Sequence, residues 1–375
     1  MIKKILLIIF IIIILLSIIF TFFYIFKNFN NDEKINLSFN SSNLLISSIF
    51  DSIYKKYLNQ YWPIISTLDH SPPLLNIAFP DSSVTYYASF FNSKDNVLIY
   101  GTIPPNIYFW SLCMYDIEGN PIQSWNYSQF PTNKYLLELG PNFIIPPDGN
   151  YCIINRIYNQ QNPFDEIYLP SIQIYHKNVK PVSDKDRITN SNYVQNLIWK
   201  LFNFKYGNKS PYQLVPDVSN YHTFFLPSQL LLSSVFPNPS AKYLIVFPST
   251  NNVIKVKGTL YPSIGYNNTV LFISYMASDL SKTSTDISIN FTQLAHEYTL
   301  YVAFSKIEAI KFGYNEKNDQ LLLWSNDNQY PVLIYREVSI SNNTPLFTLN
   351  NQTISIEGKD VENVMGIYYP KTICF

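Results

Sequence analysis

The chain has 375 residues, with 26 basic and 26 acidic side chains, no net charge, and only 14% charged residues. So sparse a set of cations forms no basic, aromatic-interleaved face, which argues against a nucleic-acid partner. The length exceeds one simple core and fits two domains of ordinary size.

Usage is skewed: 30 Tyr and 27 Phe stand beside 10 Gly, and arginine occurs only as Arg156, Arg187 and Arg336. Such a bias matches AT-rich codons, as in some large DNA viruses and protists. The aromatic excess therefore reads first as coding bias and core filling, not as a sugar-binding surface.

Ile5 through Phe26 carries no charged side chain. About 20 apolar residues suffice to cross a ~30 Å hydrocarbon core, and a buried core helix would instead be amphipathic. A cleaved signal peptide has an apolar region of about 7–15 residues and a small-x-small site; here only Ser17 and Thr21 are small. The reading is an uncleaved signal-anchor within residues 1–30, meeting membrane lipid through residues 5–26. Lys3, Lys4 and the amino terminus precede the span, while Lys27 and Lys34 follow it. The short basic N-terminus favours the inner side, with the body lumenal, extracellular or on a virion exterior. Tyr24 and Lys27 suit the headgroup level.

After the span, Leu45, Ile49, Phe50, Ile53, Tyr54, Tyr57 and Leu58 recur at helical spacing, between Ser41-Ser42 and Pro63. Short β-rich runs follow at 84–90, 97–100, 108–115, 134–139 and 151–158, punctuated by turns such as Pro146-Pro147-Asp148-Gly149. The charged stretch 177–187 reads as a linker. A second helical pattern, Val194, Leu197, Ile198, Leu201 and Phe202, opens the remainder.

That remainder repeats the first part. Phe79-Pro80-Asp81 through Tyr86 corresponds to Phe236-Pro237-Asn238 through Tyr243, and Gly101 corresponds to Gly258. Ser111 and Asp116 fall on Ser274 and Asp279, and Asn126 on Asn290. Tyr135 aligns with Tyr298 and Arg156 with Arg336. The order holds over about 80 residues, which points to an internal duplication. Short, evenly spaced strands without crossover helices predict a mainly β fold: two tandem β-sandwich or jelly-roll-like units, each preceded by a short helix. The expected domains are 1–30, the anchor; 31–182, the first helix and sandwich; and 183–375, the linker and duplicate.

Through the first copy runs Trp110-Ser111-Leu112-Cys113-Met114-Tyr115-Asp116, then Gly119, Pro147-Asp148-Gly149, Arg156-Ile157-Tyr158 and Leu169-Pro170. This order resembles the bacterial domain-of-unknown-function family twelve-fourteen, found with its partner twelve-fifty-four. The likeness covers residues 110–172. It departs at Asn159, where the family has an aromatic-proline pair, and in a shortened polar segment before the turn. The resemblance implies a β-rich, sandwich-like fold in two related halves and assigns no activity.

Several residues are candidates for special roles. Arg156 and Arg336 occupy equivalent repeat positions, and a guanidinium fork suits a buried carboxylate. The expectation is an ion pair in each copy, Arg156 with Asp116 and Arg336 with Asp279. Cys113 and Cys152 could form a disulfide or remain buried thiols, with Cys374 left over. Sequons at Asn36, Asn40, Asn126, Asn208, Asn267, Asn290, Asn342 and Asn351 are open to glycosylation in a lumenal body. The four histidines lack zinc-site spacing, and no phosphate loop or nucleophile elbow occurs. No catalytic residue, cofactor or metal is therefore expected. The functional reading is a non-enzymatic single-pass membrane protein with a binding or structural role, toward a protein or glycan ligand. The alternative is a glycan-active or other hydrolytic enzyme on the same scaffold.

Overall fold

The computed structural model describes residues 81, 84–116, 119–158, 168, 170–175, 215, 218–228, 237–248, 253–262, 264, 270–279, 297–324, 330–340, 343–350 and 354–375, and the strand backbone of 60–65, 180–181 and 284–291. All belong to one compact unit, Leu45–Phe375. Among the described residues no helix is long and apolar enough to cross a membrane. The Ile5–Phe26 run and the two helical patterns at 45–58 and 194–202 lie outside them.

The protein is mainly β. The strands are β1 (Gln60–Ile65), β2 (Val84–Asn92), β3 (Val97–Thr102), β4 (Phe109–Tyr115), β5 (Pro121–Asn126), β6 (Lys134–Leu139), β7 (Asn150–Tyr158), β8 (Ser171–Ile174) and β9 (Lys180–Pro181). They continue as β10 (Ala241–Val246), β11 (Ile254–Thr259), β12 (Phe272–Asp279), β13 (Ser284–Phe291), β14 (Glu297–Ala303), β15 (Gln320–Leu323), β16 (Pro331–Val338) and β17 (Lys371–Cys374). Among the described residues of the second part are three short α-helices: α1 (Lys306–Lys311), α2 (Pro345–Thr348) and α3 (Gly358–Met365). The five β-rich runs read from the sequence coincide with β2, β3, β4, β6 and β7 to within two residues at each end. Two other expectations fail locally. Pro63, read as a helix stop, lies inside β1, and part of the charged linker forms β9, which pairs in parallel with β1.

The described strands form four sheets: β5-β4-β7-β2-β1-β9, β6-β3-β8, β10-β16-β12-β13 and β15-β14-β11-β17. The series β5-β4-β7-β2 and β13-β12-β16-β10 run in the same order, as do β6-β3-β8 and β14-β11-β17. Burial separates inner from outer sheets. Strands β2, β4, β7, β12 and β16 are buried along nearly their whole length, so both faces are covered. This explains near-continuous apolar runs such as Trp110 to Tyr115. Strand β6 alternates exposed and buried residues, as a sheet wetted on one face does. Trp110 meets Tyr135 across the first pair of layers, ring centroids 4.7 Å apart. Tyr275 and Tyr335 pack edge-on within the second, at 5.3 Å.

Both outer sheets contain a glycine beneath a tyrosine. Gly101 pairs with Tyr135 and Gly258 with Tyr298, and a β-carbon on either glycine would overlap the facing phenol ring. Each Gly→Ala change is therefore expected to destabilise, by roughly 1–3 kcal/mol for an overpacked site. Gly258→Ala should cost more. The Tyr298 hydroxyl bonds that of Tyr275, whereas the buried Tyr135 hydroxyl has no hydrogen-bond partner and its ring is freer to shift. Thermal midpoints of the two variants test this order.

Of the two alternatives for Cys113 and Cys152, the free thiols are found and the disulfide is not. Cys113 stands opposite Ile154, and Cys152 opposite Tyr115, so the cysteines are diagonal neighbours two residues out of register. Such diagonals span about 7–8 Å, beyond the usual disulfide reach, and all three cysteines are free thiols. Burial pushes the Cys113 thiol up to about 11, against the opposing pull of Arg156. A thiol reagent at neutral pH should accordingly modify one cysteine per native chain, the half-buried Cys374, and three after denaturation. Counting labelled thiols by intact mass checks the prediction.

Candidate functional site

The inner sheets each carry a row of four facing residues. Tyr86, Arg156, Ser111 and Asn126 stand opposite one another across β2, β7, β4 and β5. Tyr243, Arg336, Ser274 and Asn290 do so across β10, β16, β12 and β13. Directly opposed residues share a face. All four pairs were aligned by the sequence repeat.

The two rows meet in a buried polar seam. Both arginines are 4% exposed, and arginine keeps its charge in any environment a protein offers. Each guanidinium lies over the tyrosine of its own row, Arg156 at 5.7 Å from the Tyr86 ring and Arg336 at 5.2 Å from that of Tyr243. Arg156 is also 5.4 Å from the Tyr115 ring centre.

Contacts between the rows come from the loops ahead of β2 and β10. The Asp81 amide donates to the Tyr86 hydroxyl at 2.9 Å, and the Asn238 amide donates to that of Tyr243 at 3.3 Å. Beyond this shared turn the side chains diverge. Asp81 Oδ2 accepts from Ser274 Oγ at 2.5 Å and lies 3.4 Å from Arg336, which also donates to the Tyr86 hydroxyl at 3.3 Å. Asn238 Nδ2 instead donates to the Tyr158 hydroxyl at 2.9 Å, while its oxygen accepts from the Ser240 amide. The Tyr115 hydroxyl donates to the Pro237 carbonyl at 3.0 Å. Apolar contacts flank these bonds, with Tyr158 edge-on to Phe272 at 5.2 Å. Burial raises the phenols of Tyr86, Tyr115 and Tyr158, with the arginines opposing it, so all three remain neutral hydrogen-bonding groups at ordinary pH.

The expected partners of the arginines need correction. Arg336 stands opposite Ser274, and Asp279 lies five residues along β12, on the other face. Asp279 accepts from the Tyr330 amide. Arg156 stands opposite Ser111, and Asp116 follows the end of β4, where it accepts from the Asn120 backbone and side chain at 2.9 and 3.1 Å. Asp116 is a turn residue, and Asp279 closes the end of β12. The carboxylate that Arg336 does use, Asp81, was visible in the repeat as the counterpart of Asn238.

A second buried carboxylate lies on the opposite face of the β16 sheet. Glu337 accepts from the hydroxyls of Tyr261 at 3.2 Å, Tyr335 at 3.0 Å, and Thr344. Burial raises its carboxyl above the usual range, opposed by these three donors. Lys242, its cross-strand neighbour, donates to the Leu349 carbonyl at 2.9 Å. The acid and the lysine thus grip the two ends of α2. No sequence signal marked Glu337, because its donors come from three separate elements.

Of the sequons, Asn126 has its side chain described. It caps the turn Tyr127–Gln129, accepting from the Ser128 amide and hydroxyl at 3.0 and 2.6 Å. Asn290 lies in β13 as backbone, and Asn36, Asn40, Asn208, Asn267, Asn342 and Asn351 fall outside the described residues. His222 approaches the Phe247 carbonyl at 3.2 Å, and no cluster of three metal-ligating side chains occurs among the described residues.

No family model and no curated protein matches the chain. A solved structure of an uncharacterised protein from Burkholderia cenocepacia matches over 92% of both chains, at 12% identity and a TM-score of 0.51. A Vibrio parahaemolyticus protein aligns with 89% of this chain and 98% of its own, at 11% identity and a TM-score of 0.41. The first of these shares the fold, and the likeness extends no further than that.

Proposed function

We propose that the chain is a single-pass membrane protein whose body is a tandem duplication with a binding or structural role. The apolar run of residues 5–26 supports the anchor, and the matched strand orders and rows support the duplication. One observation carries the non-enzymatic reading: the polar side chains where the second row meets Asp81 and Tyr86 are spent on holding the rows together. Arg336, Asp81, Ser274 and Tyr86 bond one another in a buried seam. A hydrolytic alternative needs paired carboxylates at a cleft about 5–9.5 Å apart, whereas Asp81 and Glu337 are engaged in separate interfaces.

The test is external protease on intact cells, vesicles or virions, with mass spectrometry of the sequons. The anchored, outward-facing body should be cleaved from outside, or carry glycans at Asn267 or Asn290. A body that stays intact and unmodified until the membrane is opened overturns the topology.

A further inference from the structure

We propose that the open face of the β6-β3-β8 sheet is a docking surface for helix α1 of a second copy of this chain. Register fixes which side chains the face presents. Leu136, Tyr100 and Ser171 stand opposite one another across β6, β3 and β8, and Glu138, Leu98 and Gln173 form the next row. Leu137, Leu139, Ile99 and Ile174 alternate with them and belong to the core. Ile144 pairs with Leu139 and packs against the same core, so its neighbours Phe143 and Ile145 join the open face. Tyr175 continues β8 on that face, its amide donating to the Asn96 carbonyl at 3.0 Å. Leu136, Phe143, Ile145 and Tyr175 are 42% to 73% exposed and form an apolar patch beside the Glu138 carboxylate, the kind of surface that marks an interaction site.

The duplicate displays what covers such a face. Tyr298 corresponds to Tyr135, which puts Tyr301 at the position of Glu138. There the chain between β14 and β16 carries α1 and β15, and Ala309, Phe312 and Tyr314 close over Tyr301. The Tyr314 and Tyr301 rings are 5.7 Å apart, and Phe312 stacks on Phe375 at 4.7 Å. In the first copy the link between β6 and β7 is only residues 140–149, which contain no helix. The free side of α1 has the matching chemistry. Ala309 is buried, while Ile307, Ile310 and Lys311, at i, i+3 and i+4, lie together on the exposed side. Among the described residues neither Lys311 nor Glu138 has an ion-pair partner. An apolar pair beside a lysine thus complements an apolar patch beside a glutamate. The contact joins unlike surfaces, so copies associate reciprocally as a dimer or head to tail. It is independent of the membrane anchor.

Sedimentation equilibrium of the full-length chain in density-matched detergent tests it. The mass of the wild type should rise with protein concentration. Glu138→Lys and Lys311→Glu should each weaken the association about tenfold, because each sets like charges against one another. The two changes together should restore it, since the pair is then re-formed with its signs exchanged. Neither side chain is buried, and surface changes of this kind leave the fold intact. Association carried by the apolar run 5–26 would be indifferent to both reversals, and that result overturns the proposal. So does a wild type that stays monomeric at every concentration, which leaves the face to a different partner, and so does a double variant that associates no better than the single ones.

Discussion

Asp81→Ala is expected to destabilise the protein by about 3–5 kcal/mol, the usual cost of removing one partner from a buried ion pair. Asp81 is fully buried and Arg336 nearly so. Removing the carboxylate strands the guanidinium among phenols, and Ser274 Oγ loses its acceptor. The larger part of the loss is the stranded charge, not the attraction itself. It follows that Arg336→Met in the same chain should restore part of the stability, since apolar replacement of a whole buried pair is often neutral. Urea unfolding of both single variants and the double variant, with an unchanged m-value, measures the coupling. Additive losses, or an Asp81→Ala cost below about 0.5 kcal/mol, which is the range of ordinary surface changes, would show that the seam contributes little.

That seam also shows how far the sequence could be read. The strands were legible because their side chains obey local rules. Short β-rich runs between turn signals marked β4, β6 and β7. The repeat located Tyr86, Arg156, Ser111 and Asn126 with their counterparts, and register then placed each set in one row. What failed was partnership. The acids were sought within the same copy, whereas the Arg336 carboxylate reaches across from the loop preceding β2. Such a contact depends on how two sheets pack, which no local spacing encodes. The choice left open at the cysteines turns on a finer point. The strands of Cys113 and Cys152 are neighbours, as a disulfide would require, but a two-residue offset in register decides against the bond. Glu337 was invisible for the opposite cause, since nothing near it in sequence except Tyr335 belongs to its shell.

Glu337→Ala is expected to be the second most costly change, because three hydroxyls from β16, the segment after β11 and the start of α2 lose a common acceptor. Each one left unsatisfied costs about 1–3 kcal/mol. Glu337→Gln separates shape from charge. Its amide keeps an acceptor oxygen, and the hydroxyls can rotate to receive the new donor. The pH dependence follows from the direction of the shift. Burial raises the native carboxyl above its unfolded value near ~4.3, so the native state binds more protons in the interval between the two. Stability from this group is therefore fully present below the unfolded value and declines as pH rises through the native one. The Gln variant lacks this titration, and the phenols of Tyr261 and Tyr335 titrate far higher. The stability of Glu337→Gln relative to the wild type should thus increase from acid toward neutral pH and then level off. Unfolding midpoints of the two proteins across that interval provide the comparison. A constant difference would mean that the three hydroxyls fully offset the burial of the charge, leaving Glu337 a polar tie between β16 and α2 with no protonic role.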